Sequence, residues 1–121
     1  MIVVHGTTHI APESRAAFLE AARDTIAISL AEAGCVTYTC AEDITRPGTF
    51  HWTEVWADLG AFNAHADAAH HLDFIRTLAD TTRIVRAAPP SGAYFDAEPL
   101  DAERRAALGF SVSSTPGHVP S

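Results

Sequence analysis

The sequence predicts an α+β domain of the ferredoxin-like kind, a βαββαβ chain whose four strands form one antiparallel sheet with helices on one face. Three observations predict it. A β-branched segment at the start runs into one long amphipathic stripe, two strand-like segments follow around a Pro-Gly pair, and a second helical stretch leads to a last apolar run.

Residues 2–10 read as the first strand because β-branched Ile2, Val3, Val4, Thr7, Thr8 and Ile10 dominate it. Ile2, Val4, Thr8 and Ile10 share one face, and His5 and His9 share the other. Pro12 suits the first turn of a helix, where its missing N–H costs nothing. Phe18, Ala22, Ile26, Leu30 and Ala33 form the apolar stripe of that helix, about five turns long, while Glu20, Arg23, Asp24 and Glu32 occupy its remaining surface. Gly34 supplies a left-handed stop.

A second strand runs from Cys35 to about Asp43 and a third from Thr49 to Trp56, and the Pro47-Gly48 pair between them suits a type II turn. Asp58 caps a short helix over Leu59–His65. A second helical piece from His70 to Asp80 carries Leu72, Ile75 and Leu78, and Thr81–Ala88 reads as the fourth strand. Pro89-Pro90-Ser91-Gly92 then breaks regularity, Ala93-Tyr94-Phe95 adds a short strand, and Leu100–Leu108 makes a helix with Arg104 and Arg105. The last residues, SVSSTPGHVPS, read as mobile. The expected division is one domain over residues 1–95 and a C-terminal extension over residues 96–121.

The third strand carries Phe50, Trp52, Glu54 and Trp56 on one side and His51, Thr53 and Val55 on the other. Both sheet faces therefore hold groups poorly suited to open water, and a homodimer with its sheets packed together would cover the second.

Composition narrows the partners. A chain of 121 residues that is 47% hydrophobic is long enough for one compact core. The net charge is -7, from 15 acidic residues against 8 arginines and no lysine, so no basic surface suits nucleic acid or an acidic membrane. The start MIVVHGTTHI lacks a basic leader, and no apolar run reaches the roughly 18 residues of a membrane span. A cytoplasmic protein is expected. Cys35 and Cys40, five residues apart on one strand, fall roughly 16 Å apart on opposite faces and read as buried free thiols in a reducing compartment.

The most informative stretch is Phe50–Phe74, where Glu54-x-Trp56 precedes His65 and the His70-His71 pair. His65 follows Phe62 by one helical turn, so both project to one face, and an imidazole beside an aromatic can accept a proton or simply be buried for packing. Trp52 and Trp56 share a strand face and can wall a cavity for a fused ring or fill an ordinary core. Glu54 between them needs a partner, for which Arg83, Arg86, His5 or a residue across a dimer qualify; a raised pKa with a proton-transfer role is the alternative. Tyr38 can direct its hydroxyl at a substrate or pack within the sheet. On a continuous helix, separations of five and six residues place His70 and His71 about 140° and 120° from His65, unlike an i, i+4 metal pair; a kink after His65 could reunite them, but no fourth ligand stands at a recognisable spacing. No metal is expected.

Glu32-Ala33-Gly34-Cys35-Val36-Thr37-Tyr38, and Glu54-Val55-Trp56 followed by Ala64-His65 and His70, resemble the EPGC-x-x-Y and E-x-W…AH…H segments of the antibiotic biosynthesis monooxygenase family. The similarity spans roughly residues 2–95 and departs from the family at Ala33, Ala69 and His71. It implies a ferredoxin-like domain that dimerises into a shared α/β barrel. The family includes oxygenases of polyketide anthrones or quinols that use neither flavin nor metal, as well as haem degraders. The latter place an Asn on the first strand and a Trp where His65 stands, and Asn63 is the only asparagine here, so haem degradation is disfavoured.

The resulting expectation is a cofactor-independent monooxygenase of a small apolar aromatic, phenolic or quinol-like substrate and dioxygen. His65 is the expected proton acceptor, His70 the second catalytic histidine, and Tyr38, Trp52, Glu54, Trp56 and Phe62 the substrate contacts. The alternatives are a non-catalytic dimeric domain that binds a small ligand and an isomerase of a small carbonyl compound.

Overall fold

A computed structural model describes residues 1–108 of the chain. The elements in order are β1 (Ile2–Ile10), a 3-10 turn (Pro12–Ser14), α1 (Arg15–Leu30), β2 (Cys35–Glu42), β3 (Thr49–Trp56), α2 (Leu59–Ala66), α3 (Ala69–Ala79), β4 (Arg86–Asp96) and α4 (Ala102–Ala107). The four strands form one antiparallel sheet in the order β2-β3-β1-β4, the ferredoxin-like arrangement the sequence predicts. The helices lie over the face that presents Ile2, Val4, Ile10, Tyr38, Phe50, Trp52 and Trp56, and these side chains join Phe18, Ala22, Phe74, Leu78 and Ile84 in one core. Among the described residues no helix is long and apolar enough to cross a membrane. The segment read as mobile, SVSSTPGHVPS, lies outside the described residues.

The buried face of α1 differs from the expected stripe. Phe18, Ala22, Thr25 and Ser29 are buried, whereas Leu30 is 52% exposed and Ala33 lies beyond the helix. The reason is angular. Steps of four residues advance about 40° past a full turn each, so a stripe spaced 4-4-4 winds off the core, whereas 4-3-4 spacing returns to within about 20°. Two hydroxyl residues consequently sit against the core, and the Thr25 hydroxyl finds no hydrogen-bond partner among the described residues. On α3 the expected 3-3 spacing falls about 60° short of a turn at each step, so Leu72 and Ile75 are exposed and Phe74, four residues before the expected Leu78, is buried with it.

The hairpin forms as expected. Thr49 N–H donates to the Arg46 carbonyl at 3.0 Å, with Gly48 at φ +85° after Pro47. A bulge between Cys35 and Thr37 in β2 was not expected, and it reverses the alternation. Cys35 opposes Trp56 and Cys40 opposes Trp52, so the two thiols share the inner face instead of lying on opposite ones. Both are half-buried and free.

The fourth strand is also displaced. Residues 81–83 form a turn and 84–85 are irregular, because the Asp80 carboxylate accepts from the Thr82 N–H and hydroxyl and the Asp80 carbonyl accepts from the N–H groups of Arg83 and Ile84. The strand instead runs through Pro89-Pro90-Ser91-Gly92 to Asp96. Prolines are tolerated there because β4 is a sheet edge and its pairing with β1 shifts register near Ala88. Ile84 remains in the core at 1% exposure, held by bonds from Val85 N–H to Ser14 Oγ and from Ala11 N–H to the Val85 carbonyl.

Candidate functional site

Two adjoining features make up the candidate site. One is a cavity of about 450 Å³ between the β1–β4 side of the sheet and α3. Its wall includes Tyr38, Trp52, Glu54, His71, Phe74 and Tyr94. The other is a buried layer of imidazoles and carboxylates behind that wall.

His65 is the centre of the layer. Asp58 caps α2 by accepting from Ala61 N–H at 2.8 Å, and the short helix then delivers His65 to the core at 1% exposure. Its ring stacks on Trp56 at 4.5 Å between centroids and meets Tyr38 edge-on at 5.5 Å and His71 at 4.5 Å. Its Nδ1 lies 2.7 Å from Glu32 Oε1 and its Nε2 lies 3.6 Å from Glu54 Oε1. The helix breaks after Ala66 and restarts at Ala69, which returns His70 to the same cluster. His70 Nε2 is 2.9 Å from Glu32 Oε1 and 3.2 Å from Ser29 Oγ.

Glu32 reaches these imidazoles because α1 ends two residues before it. Residues 31–34 then make a tight turn in which Gly34 adopts φ +79° and its carbonyl accepts from Ala57 N–H. A Cβ on Gly34 would stand 2.5 Å from Ala61 Cβ on α2, so the turn and α2 are in direct contact. Glu32 had the look of a helix surface residue. Its place in the Glu32–Tyr38 segment was the one sign of another role.

The electrostatics follow from burial. Glu54 opposes Val4 and Tyr38 within the sheet, and its carboxylate accepts from Trp56 Nε1 at 3.0 Å. Its partners are thus Trp56 and His65, in place of the expected Arg83, Arg86 or His5. Burial pushes its pKa up, with the Glu32 charge adding to the effect, against the opposing pull of the Trp56 N–H and His65. His71 is shifted down, chiefly by burial and then by its imidazole neighbours, which favours a neutral ring. Burial and the charge of Glu54 push the Tyr38 hydroxyl up, so it remains a phenol. Burial likewise raises Cys35 to about 11 and Cys40 to about 12, so neither is a thiolate nucleophile near neutral pH.

Of the residues singled out from sequence, Tyr38, Trp52 and Glu54 line the cavity. His65 and Trp56 sit one layer deeper and are not part of its wall, because Tyr38 and His71 close over them. Phe62 packs on Tyr94 at 5.8 Å near the cavity margin. His70 faces the other way, into a second cavity of about 380 Å³ between α1 and α3. His71, whose role the sequence left open, is the imidazole that meets the first cavity, and its Nδ1 is buried without a hydrogen-bond partner among the described residues.

The profile of the antibiotic biosynthesis monooxygenase family matches residues 1–77. An uncharacterized protein of Synechocystis sp. is 29% identical over 79 residues, which are 65% of this chain and 54% of that protein, so this chain spans about half the length of that relative. YcnE of Bacillus subtilis, described as a proposed monooxygenase, is 33% identical over 75 residues, 62% of this chain and 79% of its own. Among solved structures, a proposed antibiotic biosynthesis monooxygenase from Deinococcus radiodurans superposes with a TM-score of 0.75 at 25% identity, covering 84% of this chain and 96% of that one. A Nitrosomonas europaea protein of the same description gives 0.71 at 25% identity, covering 80% and 98%.

Proposed function

The chain belongs to the antibiotic biosynthesis monooxygenase family, and from that premise we propose that it oxygenates a small aromatic, phenolic or quinol-like compound held in the cavity beside Trp52. The observation that carries this reading is a largely apolar cavity with Arg86 and the hydroxyls of Thr7, Thr8 and Ser91 on its wall, in which three further polar groups, Tyr38, Glu54 and His71, stand directly before a buried His65–Glu32 pair. Such a pocket orients a flat apolar ring and offers it proton acceptors in a place that excludes most water.

Glu32 orients His65. With the carboxylate 2.7 Å from Nδ1, the proton of the neutral ring belongs on Nδ1, and Nε2 is left with a lone pair toward Glu54. A substrate proton taken up at Glu54 therefore has His65 Nε2 as its further acceptor, and the raised pKa of Glu54 brings its basicity closer to that of an imidazole. The resulting carbanion or phenolate bonds to dioxygen and takes one proton to become a hydroperoxide. Loss of the second proton from the same carbon breaks the O–O bond, leaving a carbonyl on the ring and releasing water. The four electrons lost by the ring carbon are the four that reduce dioxygen. Tyr38, as a phenol, and neutral His71 flank the developing oxyanion.

The functional unit on this reading is a homodimer, with the outer sheet face covered by a second copy. The test is oxygen uptake with a panel of anthrones and hydroquinones. His65→Ala should lower kcat by about 10²- to 10⁴-fold while circular dichroism stays native. Equal rates in variant and parent would remove His65 from the reaction, and turnover of a carbonyl substrate without oxygen uptake would favour an isomerase.

A further inference from the structure

The break between α2 and α3 gathers donors that a continuous helix would separate. Without it, His65 and His70 would point about 140° apart. With it, and with Glu32 turned inward from the α1–β2 turn, one ligand atom from each of Glu32, His65 and His70 lies within 4.8 Å of the others. We propose that these three residues bind a single borderline divalent cation of the Zn²⁺ class.

The distances fit such an ion. Glu32 Oε1 is 2.7 Å from His65 Nδ1 and 2.9 Å from His70 Nε2. A tetrahedral ion with bonds near 2.1 Å holds its ligands about 3.4 Å apart, so the two Glu32 pairs need open by less than about 1 Å, and the two imidazole nitrogens, within 4.8 Å of each other, need close by at most about 1.4 Å. Two imidazole nitrogens and one carboxylate select Zn²⁺, Co²⁺ or Ni²⁺ over Mg²⁺ or Ca²⁺, which prefer oxygen. Three protein ligands leave a fourth position open. His70 lines the cavity between α1 and α3, which offers an ion a route to a cluster whose deepest member is 1% exposed.

A second observation supports the assignment. His65 Nε2 is buried with no hydrogen-bond partner among the described residues, and the nearest acceptor is Glu54 Oε1 at 3.6 Å. An ion on Nδ1 obliges Nε2 to carry the ring proton and points it at that carboxylate, the carboxylate–histidine–metal arrangement common at such centres. The site goes beyond the oxygenase reading and does not depend on it. On that reading, however, an ion at Nδ1 removes the free Nε2 lone pair, so the loaded protein would turn over more slowly.

The experiment is a titration of the chelator-treated full chain with Co²⁺ and then Zn²⁺, which needs no substrate. Binding should saturate at one equivalent with the visible absorption of a four- or five-coordinate cobalt ion, and Zn²⁺ should displace it. Glu32→Ala and His70→Ala should each raise the Kd at least about tenfold, whereas His5→Ala on the other sheet face should not change it. Folding of each variant is checked by circular dichroism, and nitrogen-15 spectra of the parent should show metal shifts on His65 Nδ1. Failure to bind, or equal affinity in both ligand variants with His65 unshifted, overturns the site and assigns any binding to other histidines.

Discussion

Glu54 shows how far one residue's chemistry is set by its neighbours. Its nearest partners are an indole N–H and an imidazole, and burial raises its pKa above the ordinary 4.5. A group whose pKa is higher in the folded state favours folding fully below its unfolded pKa, and that contribution is lost as pH rises through the folded value. The parent should therefore lose stability relative to Glu54→Gln as pH rises above about 4.5, because glutamine keeps the Trp56 bond and cannot ionise. Urea denaturation of chelator-treated protein from about pH 4 to about pH 8 checks this, and parallel curves would contradict it. The same scale explains why the site was only partly legible. Trp52, Tyr38 and Glu54 announced themselves by residue type and strand face, whereas Glu32 fits the polar face of the first helix in sequence and acquires its role from the turn that ends that helix at Leu30.

At the scale of elements, the decisive piece is the four-residue turn between α1 and β2. Gly34 adopts φ +79° and touches Ala61 of α2, so the turn sets where Glu32 stands relative to His65. Gly34→Ala should destabilise the fold by about 2–4 kcal/mol, from the left-handed penalty and the overlap with Ala61, measured as a fall in urea midpoint. Boundaries such as this were legible wherever a local group enforces them. Pro47-Gly48 and Asp58 each satisfy their own backbone and needed no tertiary information. The start of β4 moves from Thr81 to Arg86, because the Asp80 turn occupies residues 81–83 and pairing with β1 begins only at Arg86. The bulge in β2 was hidden for a similar reason: a one-residue insertion leaves composition unchanged but moves Cys35 to the other face.

For the whole molecule, the feature that bears on assembly is the outer sheet face. It carries a polar layer in which His5 stacks on His51 at 5.7 Å, His9 Nδ1 lies 3.2 Å from Thr49 Oγ1 and His51 Nε2 lies 2.8 Å from Asp43, with Val3 and Val55 half-buried among them. On the homodimer proposed above, Val55→Asp would set two carboxylates into the covered face and shift the protein to monomers, read by sedimentation at micromolar concentration. A parent that already sediments as a monomer would refute sheet-to-sheet assembly.

By itself, the sequence determined the βαββαβ order, the hairpin, the inner faces of β1 and β3 and the aromatic and acidic side chains that border the cavity, because alternation, caps and turn residues act over a few positions. Only the tertiary structure decided that Glu32 joins His65 and His70, that His71 meets the cavity in front of His65, and that β4 runs through its prolines. Those outcomes depend on a helix break, on the seating of the Gly34 turn against α2 and on an edge-strand register, where segments far apart along the chain meet.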